Sequence, residues 1–316
     1  MTVIIILIIL AVIILAVSYV TYRLAFYNPT SKKNTLFELP DNSQYNEFKE
    51  QTNSLVKIMQ ETPYEVVEIT SYDGLKLKAK YYHYFDNAPL HIQFHGYKGS
   101  ACRDFCGNAY LAEKLRFNAL IVDQRGHGES DGNNICFGIK ERFDVLSWIG
   151  YSLYRFGDDI SIVLSGVSMG SATVLMSSNL DLPRNVKGIV ADCPYSTPFD
   201  IINTVCKRDM GISPKLAFPF LMLGARLFAN INLKSVSAVE CVKEAQVPIL
   251  IIHGEDDRFV PCEMSREIYN ANPDIVKLET FSGAGHGLSY MKDTERYYSI
   301  LKEFLNYCHN KNKPTE

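Results

Sequence analysis

Several features that mark other classes of protein are missing from this chain of 316 residues. The net charge is only −3, and no basic stripe is present that could neutralise the phosphates of a nucleic acid. The eight cysteines are scattered without a C-x-x-C pair, which argues against a zinc site or a thioredoxin-like motif. No internal repeat or low-complexity tract occurs. A globular chain remains, and its scattered cysteines favour a reducing compartment.

Charge is also absent from the start of the chain. Residues 2–22 are almost entirely Ile, Leu, Val and Ala. As a helix they would span about 30 Å, the thickness of a hydrocarbon core. A cleaved signal peptide is the alternative, but it would need a basic segment before the apolar run and a shorter apolar run. We therefore expect residues 1–22 to form a single-pass transmembrane anchor.

Positive charges follow this span and do not precede it. Arg23, Lys32 and Lys33 lie on its carboxyl side, which by the positive-inside tendency predicts a membrane protein whose main domain is cytoplasmic. Residues 23–62 are expected to form a polar linker followed by a short amphipathic helix over 43–60.

Strand and helix patterns alternate from residue 63 onward. Two segments of period two, 66–72 and 75–82, flank Asp73-Gly74 and predict a β-hairpin. Apolar strands alternating with helices predict an α/β domain over 63–310, with a mostly parallel central sheet and helices on both faces. The further strands are expected at 90–95, 119–123, 160–164, 186–191 and 248–253, and the helices at 102–116, 138–155 and 169–179.

Residues 197–243 interrupt this alternation. They are helix-rich, and the run from Leu216 to Leu223 has no polar side chain. An insertion between two core strands would lie over the strand ends, where active sites of parallel sheets are found. We therefore expect residues 197–243 to form a helical lid over the strand ends.

The motif with the most chemical content is Gly166-Val167-Ser168-Met169-Gly170. An apolar strand precedes it and helix-forming residues follow, so Ser168 is expected on a sharp strand-to-helix turn. Glycines two positions before and after the serine leave room for such a strained turn. Chance alone would give the pattern in about one chain in ten of this size, so a nucleophile also requires a base and an acid elsewhere.

A base and an acid follow Ser168 in the order Ser, Asp, His. His286 lies between two glycines and can project into a cleft. His127 is a rival on local chemistry, but it precedes the serine. The acid is expected in the loop after strand 248–253, where Asp256 and Asp257 both qualify.

An oxyanion also needs two backbone N–H donors. One is expected to be the amide of Met169, directly after the nucleophile. The other is expected to be the amide of Tyr97, which follows an early strand in His95-Gly96-Tyr97.

Over about residues 63–310 the sequence resembles the α/β-hydrolase superfamily, nearest to the lysophospholipase, monoacylglycerol-lipase and serine-aminopeptidase-like group. The resemblance implies the α/β-hydrolase fold, hydrolysis by Ser168 without a metal or organic cofactor, Asp257 as the acid and a structural role for His127. The matching segments, in family order, are His95-Gly96-Tyr97, Asp123-Gln124-Arg125-Gly126-His127-Gly128-Glu129-Ser130, Gly166-Val167-Ser168-Met169-Gly170, His253-Gly254-Glu255-Asp256-Asp257-Arg258-Phe259-Val260-Pro261 and Gly285-His286-Gly287.

The sequence therefore predicts a membrane-anchored serine hydrolase that cleaves carboxylic esters through a Ser-His-Asp triad, with a small-molecule acyl ester as substrate. A peptidase or a thioesterase on the same fold is an alternative. A non-catalytic, membrane-tethered binding module is another, although its signature would be a missing triad residue and none is missing. The acyl chain, the head group and the oligomeric state stay open.

Overall fold

The computed structural model describes residues 1–29, 43–209 and 214–311. The strands are β1 (Glu65–Thr70), β2 (Lys76–Tyr82), β3 (Leu90–Phe94), β4 (Asn118–Val122), β5 (Ile162–Val167), β6 (Val186–Asp192), β7 (Ile249–Gly254) and β8 (Val276–Phe281). The helices are α1 (Thr2–Ala25), α2 (Ser43–Asn46), α3 (Lys49–Glu61), α4 (Ala101–Asp104), α5 (Asn108–Leu115), α6 (Glu141–Phe156), α7 (Met169–Met176), α8 (Pro198–Asp209), α9 (Pro214–Gly224), α10 (Ala238–Lys243), α11 (Cys262–Ala271), α12 (Ser289–Lys292) and α13 (Thr294–Lys311). A π-helical segment, Ala225–Ala229, continues α9.

Eight strands in the described ranges form one sheet, in the order β1-β2-β4-β3-β5-β6-β7-β8. β2 pairs antiparallel with both β1 and β4, and the hairpin between β1 and β2 turns at Gly74, whose φ is +90°. All other neighbours are parallel. The prediction of an α/β-hydrolase fold with a mostly parallel sheet is confirmed.

Both faces of this sheet are covered, which explains its apolar central strands. β3 and β4 are buried over their whole length. Trp148 of α6 is fully buried in the hydrophobic cluster on one face, and Phe304 of α13 is buried in the cluster on the other. Because helices shield both faces, the carboxyl ends of the parallel strands are left as the place for a site.

Two details differ from the sequence prediction. The continuous helix expected over 102–116 is wrong: the chain forms the short helices α4 and α5 with a break at Phe105–Gly107. A Cβ on Gly107 would overlap the ring of Tyr290, so this ring packs directly on the backbone where the helix is interrupted. The strand β8 and the helices α11 and α13 were not predicted.

The N-terminal helix is joined closely to the domain. α1 extends to Ala25, beyond the predicted span 1–22, and is long and apolar enough to be a candidate membrane span. Ser18 and Tyr22 of α1 are buried, and Phe26 directly after it is fully buried. Helix α3, within the predicted amphipathic segment, buries Val56 and Met59. Residues 30–42 of the predicted linker, including Lys32 and Lys33, lie outside the described residues.

Helices α8, α9, the π-helical segment and α10 lie between β6 and β7, in the predicted insertion 197–243. Residues 210–213 of this insertion lie outside the described ranges. Phe218 and Leu221 of α9 are buried, whereas Leu216 is 69% exposed. The apolar run therefore has one face against the protein and another that the protein does not cover.

Candidate active site

The Ser168 turn is enforced by steric contact. β5 ends at Val167, α7 begins at Met169, and Ser168 between them has a φ of +55°, which is unusual for a residue with a side chain. A Cβ on Gly166 would overlap the backbone of Gly170, and a Cβ on Gly170 would overlap the carbonyl oxygen of Phe94. The glycines thus allow β5, α7 and β3 to approach closely enough to expose the serine at the strand end.

The structure brings Ser168, His286 and Asp257 together. His286 Nε2 lies 2.9 Å from Ser168 Oγ, and His286 Nδ1 lies 2.6 Å from Asp257 Oδ2. In a neutral imidazole that carries its proton on Nδ1, the Nδ1–H donates to the carboxylate and Nε2 accepts from the serine hydroxyl. This is the arrangement that a general base for Ser168 requires.

Asp257 is held in place by the backbone around it. Its Oδ1 accepts hydrogen bonds from the amides of Phe259, at 2.7 Å, and Val260, at 2.9 Å. Its Oδ2 also lies 3.2 Å from Nε2 of the fully buried His253, which donates to the Val260 carbonyl oxygen at 2.9 Å. Asp256 is exposed, so of the two candidate acids only Asp257 faces His286.

Asp257 and His286 each shift the pKa of the other. Burial alone would raise the pKa of Asp257, but the adjacent His286 and the hydrogen bonds from the two imidazoles outweigh it and lower that pKa. Burial alone would lower the pKa of His286, and the Asp257 carboxylate outweighs this effect and raises it. The carboxylate is therefore ionised at neutral pH and stabilises an imidazolium.

The loop after β3 lies beside Ser168. A Cβ on Gly96 would be 3.3 Å from Ser168 Cβ, and the next residue, Tyr97, lines the same cavity as Ser168 and Met169. Within the described part of the chain, neither the Tyr97 amide nor the Met169 amide donates a hydrogen bond. Both N–H groups are therefore available to an oxygen atom placed near Ser168.

Two side chains that sequence reasoning did not assign to the site fix this loop. Asp104 Oδ2 accepts a 2.7 Å hydrogen bond from the Gly96 amide, and the same carboxylate is paired with Arg103. His127 Nε2 accepts from the Lys98 amide at 3.1 Å. Burial, with a smaller contribution from His95, lowers the pKa of His127 to about 3, so this imidazole is a neutral acceptor. His127 acts on the loop and does not contact Ser168.

Asp192, at the end of β6, is a third residue that no motif indicated. Its backbone carbonyl accepts a 2.8 Å hydrogen bond from the Ser168 amide, and its Oδ2 accepts from the Tyr297 hydroxyl at 3.1 Å. Burial raises its pKa to about 6. No sequence motif distinguishes this aspartate from others at strand ends, so its burial beside Ser168 could be found only from the structure.

Cys193 Sγ, an Asp257 oxygen and a His286 nitrogen lie within 4.8 Å of one another, a spacing that could suit a metal ion. Burial raises the pKa of the Cys193 thiol well above its ordinary value, which keeps it neutral. A metal would also compete with the hydrogen bond between His286 and Asp257. The prediction that the site uses neither metal nor cofactor stays a prediction.

A cavity of about 970 Å³ opens at Ser168 and His286. Helices α1 and α9 contribute an apolar wall, with Leu24, Phe220 and Leu221 among its residues. Polar side chains, including Gln93 and Asn108, line another part of the same cavity. The space suits a ligand that is mostly apolar at one end.

Comparison with known sequences and structures agrees with this architecture. The sequence model of the α/β hydrolase fold family matches residues 92–213. The uncharacterized protein YqkD of Bacillus subtilis (strain 168) is 24% identical over 207 residues, which cover 66% of this chain and 67% of that protein. The lysophosphatidylserine lipase ABHD12 of Rattus norvegicus is 24% identical over 238 residues, which cover 69% of this chain and 56% of the lipase. The chain thus spans little more than half the length of that relative.

Among solved structures, the esterase Pf2001 of Pyrococcus furiosus superposes with a TM-score of 0.62 at 22% identity and covers 85% of this chain and 95% of its own. The acylaminoacyl peptidase of Pyrococcus horikoshii superposes with a TM-score of 0.60 at 20% identity and covers 80% of this chain and 43% of its own. At this identity the likeness shows the fold. The chain therefore has the α/β-hydrolase fold, and its sequence resembles the lipase-like group of that superfamily, as its motifs predicted.

Proposed function

We propose that this chain is a membrane-anchored serine hydrolase that cleaves acyl esters through Ser168, His286 and Asp257. The observation that carries the proposal is the continuous pair of hydrogen bonds from the Ser168 hydroxyl through His286 to Asp257. A chance serine on a strand-to-helix turn would have no base and no ionised acid aligned behind it.

The reaction begins when Ser168 Oγ attacks the acyl carbonyl carbon and its proton passes to His286 Nε2. Asp257 stabilises the imidazolium that forms, and the amides of Tyr97 and Met169 donate to the oxyanion of the tetrahedral intermediate. His286 then gives the proton to the departing alcohol. Water, deprotonated by the same imidazole, hydrolyses the acyl-enzyme and restores the serine.

The assignment of an ester as substrate is supported by the lipase among the relatives and by the apolar wall of the cavity. A peptidase or thioesterase would use the same residues, so the leaving group must be tested directly. A binding module without catalysis is disfavoured because hydrogen bonds link the three side chains, and the two residues proposed as oxyanion donors line the same cavity.

The proposed organisation follows from the same features. Residues 1–22 anchor the protein, 23–62 connect it to the membrane, and 63–310 form the hydrolase domain with the lid 197–243. As a helix, α1 is about 36 Å long, enough for one crossing. Arg23, at its carboxyl end, favours a cytoplasmic domain.

A fluorophosphonate probe, which reacts with activated serines, tests the nucleophile. The wild type and Ser147→Ala, a control in α6 away from the site, should be labelled, and Ser168→Ala should not. In the same preparation, p-nitrophenyl esters should be hydrolysed and p-nitroanilides should not. Labelling that persists in Ser168→Ala would refute the nucleophile, and faster cleavage of anilides would favour the peptidase alternative.

A further inference from the structure

The candidate membrane span is also part of the substrate cavity. Val17, Thr21, Leu24 and Ala25 of α1 line the cavity that contains Ser168. Helix α9, which packs against α1, contributes Leu216, Ala217, Phe220 and Leu221 to the lining of the same cavity. An anchor that served only to hold the domain at a membrane would have no reason to reach the catalytic serine.

The contact between α1 and the domain is close and specific. A Cβ on Gly224 of α9 would overlap the carbonyl oxygen of Ser18, so the two helices meet backbone to backbone. The Tyr22 hydroxyl donates to Asn134 Oδ1 at 2.7 Å. The Tyr97 hydroxyl donates to the Ala25 carbonyl oxygen at 3.0 Å, which ties the end of α1 to the residue proposed as an oxyanion donor.

The position of this wall along α1 gives its depth in a bilayer. At about 1.5 Å per residue, a hydrocarbon core that starts near Thr2 ends near Tyr22. Residues typical of the interface are found there: the exposed Tyr19, and Tyr27, whose ring centre lies 3.9 Å from the Arg23 guanidinium. The wall from Val17 to Leu24 therefore crosses the boundary between hydrocarbon and head groups, where the ester bonds of membrane lipids lie.

The rim between the two helices is apolar and uncovered. Leu24 is 62% exposed and Leu216 is 69% exposed, one on each helix. In water such a pair would be unfavourable, whereas at this depth both side chains would contact lipid.

We propose that an acyl chain enters the cavity sideways from the membrane leaflet, between α1 and α9, so that the protein hydrolyses long-chain esters already dissolved in the bilayer that holds it. The inference rests on the proposed function, because it requires α1 in the membrane and Ser168 as the nucleophile. It adds that α1 selects the substrate as well as anchoring the enzyme.

The test uses the full chain in phosphatidylcholine vesicles with two substrates that share a leaving group, p-nitrophenyl palmitate in the bilayer and p-nitrophenyl acetate in water. Thr21→Trp fills the α1 side of the cavity. Val20→Trp is the control. It adds the same ring one residue earlier in α1, where the side chain is exposed and does not line the cavity. Each buried methylene raises kcat/KM about fourfold, so exclusion of even two should lower the ratio of palmitate to acetate kcat/KM by roughly fifteenfold in Thr21→Trp. Val20→Trp should keep the wild-type ratio.

Ala217→Trp repeats the test from the α9 side, with the exposed Lys215→Trp as its control. Wild-type ratios in both wall variants would overturn the proposal, and so would equal losses of palmitate and acetate hydrolysis in both. If only one of the two wall variants loses palmitate and acetate hydrolysis equally, the ratio measured in the other wall variant decides: a lowered ratio supports the proposal and a wild-type ratio overturns it.

Entry of the substrate from the leaflet is tested by supplying the palmitate ester either in the vesicles that hold the protein or in separate vesicles. Entry from the leaflet predicts faster hydrolysis when ester and protein share a vesicle than when the ester is supplied in separate vesicles, and equal initial rates would overturn it. Ser168→Ala separates the two proposals. If it retains both activities the proposed function fails, whereas if it loses both while the wall variants behave as wild type, only the leaflet route fails.

Discussion

The two sides of the cavity are built in different ways. On the catalytic side, Ser168, His286 and Asp257 are fixed by hydrogen bonds and by backbone contacts that admit only glycine. On the other side, α1 and α9 also meet backbone to backbone at Gly224, but the cavity wall that they form consists mainly of apolar side chains. The proposed chemistry therefore depends on a few positions that tolerate almost no change, whereas the proposed selection of an acyl chain depends on surfaces that can be reshaped gradually.

The largest effect is expected when the carboxylate of Asp257, the proposed catalytic acid, is removed. Asp257→Asn should lower kcat about 10⁴-fold, because the amide favours the wrong imidazole tautomer. The residual activity should persist to lower pH, because the carboxylate that raises the pKa of His286 is gone and the imidazolium forms only in more acidic solution. The measurement is kcat and kcat/KM against pH with p-nitrophenyl acetate.

Asp256→Asn is the matched control. This exposed neighbour should leave kcat within about twofold of the wild type. If Asp256→Asn were the crippling change and Asp257→Asn mild, the assignment of the acid would be wrong.

A smaller effect, on the stability of the fold, is expected at Gly170, where α7 packs against β3. Gly170→Ala should lower the free energy of unfolding by roughly 3 kcal/mol, because the new methyl group would overlap the Phe94 carbonyl oxygen. In Gly150→Ala, at an exposed site in α6 with nothing within 4 Å of the added Cβ, stability should rise by about 1 kcal/mol. Denaturant unfolding of both variants measures the difference, and similar midpoints would show that the turn is less constrained than its contacts indicate.

The smallest effect is expected on the apolar side. In the wild type, kcat/KM for p-nitrophenyl esters should rise nearly fourfold per added methylene until the cavity is full. Phe220→Ser should flatten this rise, because the ring lines the cavity. Leu223→Ser, in the same helix but outside the lining, is the control. A wild-type profile that is already flat would remove α9 from substrate selection.

The sequence sufficed to predict that Ser168, His286 and Asp257 lie together, because the constraints on these positions are local. The glycines around Ser168, the small residues around His286 and the order of the three residues all reflect requirements of a single turn or loop. The choice of Asp257 over Asp256 came from the family spacing, since neighbouring aspartates in one loop look alike until the fold buries one of them.

What the sequence did not predict depends on distant packing. The break before α5 arises from the ring of Tyr290, far along the chain. Asp104 anchors the loop at Gly96 through a contact that no motif encodes. The apolar pattern of α1 indicated a membrane span, and the same pattern would be found whether or not that helix also lined a cavity.

The backbone contact between Ser18 and Gly224 limits which helices could replace α1. Because α1 meets α9 along one face, its rotational phase is set relative to the domain. One residue inserted before Phe26 would turn the helix by about 100°, whereas seven would return it to within about 20°. A foreign span of equal length and hydropathy could replace α1 in its proposed role as an anchor, yet it would present the right face to α9 only in the correct phase.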